Sequence, residues 1–334
     1  MAAKSEQLVL ETSPFLKAAI STPRLMGDVL IGLLPVLGAS IWFFGVNSLL
    51  LLLVSATGAA ATERLLSGKG TVGDGSALVT GLIFGLTLPP TLPLWIALLG
   101  SVVAMGLGKL VWGGLGQNLF NPALVGRAFL QAAFPGAMTT WAAPRDGFFE
   151  LSERLTTAPL MQAPVDIVSA ATPLAKMKFE AEPTAWWSLF TGNVGGSLGE
   201  TSAAMILVGG LYLLVRRSFD WRVPASILLT VAAFTGLLHL IAPAKFAAPW
   251  FMLLSGGLLF GAIFMATDPV TSPTAPLGLW VFGIGVGALV VLIRVWGGLP
   301  EGVMYSILLM NAASPLIERY CQPRPFGRKE RSGG

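Results

Sequence analysis

The sequence predicts an all-α polytopic membrane protein with about ten transmembrane helices, arranged as two inverted five-helix repeats. The first observation is composition: 54% of the 334 residues are hydrophobic, 11% are charged, and the mean hydropathy is +0.74. A water-soluble domain could not cover this much apolar surface with polar side chains. The second is a series of apolar segments separated by Gly, Pro and charged clusters, and the third is a motif that occurs twice.

Ten segments are long enough to be spans, since a helix needs about 20 mainly apolar residues to cross a bilayer and fewer where it is broken. They are 27–45, 48–66, 76–88, 93–112 and 118–135, then 200–216, 223–242, 249–266, 276–296 and 303–320. Charged residues interrupt any apolar run before Gly27, so we expect no signal peptide. The predicted units are a cytoplasmic N-terminal segment 1–26, a first repeat 27–135, an outward-facing loop 136–199, a second repeat 200–320 and a cytoplasmic basic tail 321–334.

Val111-Trp-Gly-Gly-Leu115 recurs as Val295-Trp-Gly-Gly-Leu299, each time at the end of the fourth segment of its set. Because each unit has five spans, a duplicated unit must insert upside down, which gives an inverted repeat. With both termini in the cytoplasm, fourteen of the 21 Lys and Arg residues fall inside and six outside, among them Lys109 inside and Arg294 outside. This bias follows the positive-inside rule and places the 136–199 loop outside.

A proline-rich break follows the third segment of each set: Leu88–Pro93 in the first set and Asp268–Pro273 in the second. Non-helical backbone at membrane depth is tolerated only where it is buried in protein or lines a polar cavity. The breaks therefore indicate either a site near the pseudo-symmetry axis or ordinary turns at the membrane surface.

Arg127 is the most costly residue to place within a span, because a charge there is rare and usually meets a partner or a cavity. Its alternatives are a salt bridge with Asp28 or Glu63, contact with a second flavin, or snorkelling to the surface. Asp268 and Asn121, beside the breaks, are further candidates for an ion path or a second flavin. Asp-Pro and Asn-Pro are also common turn formers.

The loop carries Asp166-Ile-Val-Ser-Ala-Ala-Thr172, followed by Pro173. Small side chains would let a bulky group approach the backbone, and a threonine hydroxyl can form a phosphoester. The same residues suit a plain turn, because Asp, Ser and Thr hydrogen-bond their own backbone and Thr before Pro is held extended. Composition alone favours the turn.

The motif resembles the flavinylation site of a family that comprises the B subunit of Na⁺-translocating NADH:quinone oxidoreductase and the D subunit of the Rnf electron-transport complex. The resemblance extends along nearly the whole chain, through Pro23–Asp28, Asn118–Pro122, Thr191–Glu200 and Asp268–Pro273. The compact length favours the Rnf D type. The family usually has Gly where this chain has Ala170, a change that a flexible substrate loop should tolerate.

The resemblance implies that a flavin transferase links FMN through its phosphate to Thr172. It also implies a non-covalent riboflavin in the membrane part and a fold like that of urea transporters. The cofactor-binding residues that it implies are Thr172, Asp166, Ser169, Ala171, Pro173 and Asn193. A single cysteine and a single histidine disfavour an iron–sulfur, haem or zinc site, so any redox cofactor is organic or lies in a partner.

The predicted function is electron relay coupled to Na⁺ or H⁺ transport, within a complex in the bacterial inner membrane. The chain would not be catalytic alone; its partners would be the other membrane and peripheral Rnf subunits, the flavin transferase and the lipid bilayer. No nucleic acid is expected, because the basic residues flank membrane spans. The alternatives are a solute channel or transporter of inverted-repeat fold without a redox cofactor, and a structural scaffold.

Overall fold

Helices occupy each of the ten predicted segments in the computed structural model, which describes residues 21–67, 72–144, 148–149, 151–159, 161, 171–180, 182–243 and 245–322. Within these ranges the chain forms helices and turns and no β-strand. The α-helices are α1 (Thr22–Phe44), α2 (Val46–Ser67), α3 (Ser76–Leu86), α4 (Leu94–Leu110), α5 (Pro122–Ala133), α6 (Pro135–Met138), α7 (Pro173–Ala175), α8 (Trp186–Thr191), α9 (Ala203–Arg216), α10 (Arg222–Ile241), α11 (Pro249–Leu254), α12 (Leu258–Phe260), α13 (Pro276–Trp296) and α14 (Val303–Cys321).

Four of these helices, α1, α2, α10 and α13, are long and apolar enough to cross a membrane, and α3, α4 and α9 are shorter apolar helices. The all-helical membrane fold is therefore confirmed, while the ten-span inverted arrangement stays a prediction. The predicted segment 249–266 is not one helix. It breaks at Ser255–Gly257, where Gly256 adopts φ +66°, a conformation that L side chains rarely take.

The helices of the first half, α2 to α5, pack on one another, and α10, α13 and α14 form the main contacts of the second half. The helices α1 and α9 pack together and so connect the two halves of the sequence. Glycines allow these close approaches, as they do between membrane helices in general. At Gly209 of α9, an added Cβ would collide with the carbonyl oxygen of Gly32 on α1.

Gly209→Ala is therefore expected to destabilise the protein by about 1–3 kcal/mol, because the methyl group meets backbone that cannot rotate away. The free energy of unfolding in mixed detergent, measured as the denaturing detergent increases, checks this. Gly38→Ala is the matched control, since a Cβ at this α1 position meets nothing within 4 Å. Equal stability of the two variants would contradict the close packing of α1 on α9.

The first proline-rich break lies inside the protein, because Leu88 and Leu92 are 0% exposed. The loop that precedes α9 pairs with this region: Leu198 N–H donates to the Leu88 carbonyl (3.1 Å) and Gly199 N–H to the Leu86 carbonyl (2.6 Å). These bonds satisfy backbone groups that the break leaves without helical partners. They also fix the position of Glu200, the next residue.

The second break is held by two asparagines. Asn121, the N-cap of α5, donates from Nδ2 to the Met265 carbonyl (3.2 Å), and Asn311 of α14 donates to the Thr271 carbonyl (3.1 Å). Asn311 Oδ1 also accepts the Asn121 backbone N–H (3.3 Å). The two asparagines thus connect the start of α5 and the middle of α14 to the backbone at and just before the second break.

Candidate functional site

Thr172 lies at the start of α7, directly before Pro173. Its Oγ1 accepts the backbone N–H of Ala175 at 3.2 Å, and the residue is 4% exposed. Proline in the first helical position and a threonine N-cap are the usual way to begin a helix. Ala171 is half-buried, whereas Asp166, Ser169 and Ala170 lie outside the described residues.

A small pocket, which we call the Thr172 pocket, lies beside the Thr172 side chain. It is narrow, with a cavity volume of about 10 Å³. Its lining includes Thr172, Pro173, Leu174, Leu189, Val194, Gly195, Gly196, Glu200, Thr201, Leu254, Gly256 and Glu301. The segment 191–200 therefore contributes Gly195 and Gly196 here. Asn193 itself is exposed and is not part of this lining.

Arg127 meets two carboxylates at one edge of the Thr172 pocket. Its guanidinium lies 3.6 Å from Glu200 Oε1 and 3.3 Å from Glu301 Oε2. Of the alternatives for Arg127, a salt bridge with Asp28 or Glu63 is therefore wrong. Those two carboxylates bind cations of other helices, at 3.1 Å for Asp28 with Arg216 and 2.5 Å for Glu63 with Lys109.

Arg294, near the end of α13, is 3% exposed and donates to the carbonyls of Met252 (2.6 Å) and Ser255 (3.0 Å). The sequence analysis places Arg294 on the outer side, near the end of the predicted span 276–296, and assigns it no partner. The break at Ser255–Gly257 frees carbonyls at the end of α11, and the guanidinium satisfies them.

Lys109, which the sequence places on the inner side near the end of the predicted span 93–112, is 1% exposed within the final π-helical turn of α4. Its Nζ donates to Glu63 Oε1 (2.5 Å) and to Ser76 Oγ (2.6 Å). Glu63 is 0% exposed. A lysine buried in this way needs a paired carboxylate, because desolvating an unpaired charge is costly.

Two further cavities lie near Asn121 and Arg127. The Lys109 cavity includes Lys109, Ser76, Asn118, Asn121, Asp268, Phe219, Ile263 and Phe264 in its lining. The Arg127 cavity includes Arg127, Leu124, Gln131, Thr139, Trp141, Glu200, Gly257, Phe260, Met265, Glu301 and Tyr305. The structure thus places Asn121 and Asp268 together and Arg127 apart from them.

Polar side chains to which the sequence analysis assigns no role complete both sites. Glu200 and Glu301 join the Thr172 pocket to the Arg127 cavity, and Lys109 with Asn118 contributes polar groups to the Lys109 cavity. The sequence does hold one signal for the buried cations. Lys109 stands two residues before the first Val-Trp-Gly-Gly-Leu motif, and Arg294 stands directly before the second.

Known proteins resemble this chain along nearly its whole length. The D subunit of the ion-translocating oxidoreductase complex of Stutzerimonas stutzeri is 44% identical over 331 residues, 93% of this chain and 94% of the relative. The D subunit of the Na⁺-translocating ferredoxin:NAD⁺ oxidoreductase complex of Acetobacterium woodii is 40% identical, covering 96% and 95%. The D subunit of the proton-translocating ferredoxin:NAD⁺ oxidoreductase complex of Clostridium ljungdahlii is 36% identical, covering 98% of each.

The sequence pattern of the NQR2, RnfD, RnfE family matches residues 9–327. This range includes both halves of the helical structure, the Thr172 pocket and the two cavities. The resemblance inferred from the motifs is therefore confirmed. The chain belongs to the NQR2, RnfD, RnfE family.

Proposed function

We propose that this protein is the D-type membrane subunit of an ion-translocating oxidoreductase complex and carries FMN covalently on Thr172. The observation that carries the proposal is the position of the Thr172 hydroxyl in a pocket edged by Gly195 and Gly196, in a chain that matches D subunits almost end to end. Glycine at these positions places no side chain beside the hydroxyl. The bound flavin would supply reversible electron uptake.

The residues of this chain would hold that group rather than perform chemistry alone. Thr172 Oγ1 would provide the ester oxygen, and Pro173 would keep the start of α7 in place. The electron donor and acceptor would be cofactors of other subunits, and a flavin transferase would attach the FMN. The relatives' names give both Na⁺ and protons as the transported ion, so ion translocation is proposed without a choice between them.

We propose that a second, non-covalent flavin such as riboflavin binds at the Lys109 cavity. Asn118 Oδ1 is buried without a hydrogen-bond partner there, and such an atom is rarely left unsatisfied in a protein. The Asn121 side chain, Asp268 and the ring of Phe264 line the same cavity. Arg127, the third candidate contact for a second flavin, lines the other cavity and is not proposed as a riboflavin ligand.

Asn118→Leu is expected to weaken the non-covalent flavin about tenfold, because one hydrogen bond to the ligand is worth about 1–1.5 kcal/mol. The measurement is the flavin released by acid from the purified complex, with the covalent flavin left on the protein. Gln117→Leu, an exposed amide one residue away, is the control. Unchanged release from Asn118→Leu would contradict this location.

Mass spectrometry tests the main proposal directly. After co-expression with a flavin transferase, the peptide that contains Thr172 should carry the added mass of FMN in stoichiometric amount. An unmodified peptide would instead favour the alternative, a solute channel or transporter of the same fold without a redox cofactor.

A further inference from the structure

Two carboxyl groups lie side by side between the Thr172 pocket and the Arg127 cavity. The side chains of Glu200 and Glu301 are 6% and 17% exposed. Both side chains lie against two consecutive glycines. A Cβ added at Gly257 would lie 2.7 Å from Glu200 Oε1, and one added at Gly256 would lie 2.8 Å from Glu301 Oε1. Consecutive glycines at the α11–α12 break therefore make room for the pair.

The groups that face the pair come from three elements. Arg127 of α5 contacts both carboxylates, and Arg294 of α13 interacts with both electrostatically while donating to backbone carbonyls. The Ser197 hydroxyl faces Glu200 from its own loop. Lys178, a further cation of this region, donates instead to the carbonyls of Gly297 and Leu299.

The pair is suited to bind a proton. The Arg127 guanidinium lies within 3.6 Å of a carboxylate oxygen of each glutamate, so the two carboxylates lie side by side, and a proton on one of them would relieve the repulsion between two buried negative charges. Burial disfavours two negative charges so close together. A change in nearby charge therefore alters how fully the pair binds a proton.

The pair also has a route to the surface. Both carboxylates line the Thr172 pocket on one side and the Arg127 cavity on the other. The Arg127 cavity extends to Thr139, which is exposed. A proton could therefore reach the pair without passing through the Thr172 pocket.

We propose that the Glu200–Glu301 pair binds the proton that accompanies reduction of the flavin on Thr172. The inference rests on the proposed function. When a one-electron carrier of another subunit reduces the flavin, the added negative charge raises the affinity of the pair for a proton. An aqueous proton then forms an O–H bond with a carboxylate oxygen. When the electron leaves, that O–H bond breaks and the proton returns to water, so the local charge changes little.

The experiment is a redox titration of the covalent flavin in the purified complex over a range of pH. If one proton binds per electron, the midpoint potential falls by ~59 mV per pH unit in the window where the pair titrates. We expect Glu200→Gln and Glu301→Gln each to reduce this slope, leaving only the contribution of the flavin's own protonation. In infrared difference spectra, reduced minus oxidised, the band of a protonated carboxyl group should disappear in both variants.

Glu153→Gln is the matched control, because Glu153 is an exposed carboxylate in the loop that also carries Thr172. Each Gln variant leaves Arg127 one carboxylate, and having two variants protects the test against misfolding of either one. Covalent flavin with wild-type slopes in both variants would overturn this inference alone. Absence of flavin on Thr172 in the wild type would overturn the proposed function and the inference with it.

Discussion

Thr172→Ala should eliminate the covalent flavin completely, whereas Thr172→Ser should retain it. Alanine offers no oxygen for a phosphoester, and serine keeps the hydroxyl in the same place at the start of α7. The readout is flavin fluorescence of the protein band after denaturing electrophoresis, where only a covalent flavin remains. We expect a signal at background level for the alanine variant.

The alanine variant also loses a helix cap, since Thr172 Oγ1 accepts the Ala175 N–H. This costs about 1 kcal/mol, too little to unfold a protein of this size. The serine variant separates the two effects because it keeps the cap. Thr201→Ala is a second control, because Thr201 is the other threonine in the pocket. Fluorescence that persists in Thr172→Ala, or disappears in Thr201→Ala alone, would refute the assignment.

The positions of the helices could be predicted because long apolar runs such as 276–296 have few alternatives to a membrane span. Hydropathy alone could not reveal the break inside 249–266, because the residues on both sides of it, such as Phe251 and Phe260, are apolar and buried. The signal was the pair Gly256-Gly257, and its reason is tertiary: a side chain there would collide with Glu301 or Glu200.

The partners of the buried charges were beyond sequence analysis for a different reason. Arg127 and Glu301 are 174 positions apart, and a single sequence does not say which carboxylate of several will meet a given arginine. Lys109 and Arg294 stand near the ends of predicted spans, where the sequence does not distinguish an exposed charge from a buried one. The packing around the two Val-Trp-Gly-Gly-Leu motifs buries them instead.

Lys109→Met should destabilise the protein by about 3–5 kcal/mol, because removing one partner of a buried pair leaves an uncompensated charge. The remaining charge is that of Glu63, whose second oxygen, Oε2, already has no hydrogen-bond partner. Surrounding water cannot relieve it, since both side chains are at most 2% exposed. The free energy of unfolding in mixed detergent gives the size of the effect.

The double variant Lys109→Met with Glu63→Gln decides whether the pair serves stability alone. Replacing both charges removes the desolvation cost together with the attraction, so stability should recover most of the loss. Lys109 also lines the cavity proposed for riboflavin, and the double variant should therefore still release less flavin than the wild type. Recovery of both stability and flavin would mean that Lys109 only neutralises Glu63. Recovery of stability without recovery of flavin binding would mean that the Lys109 ammonium group contacts the flavin.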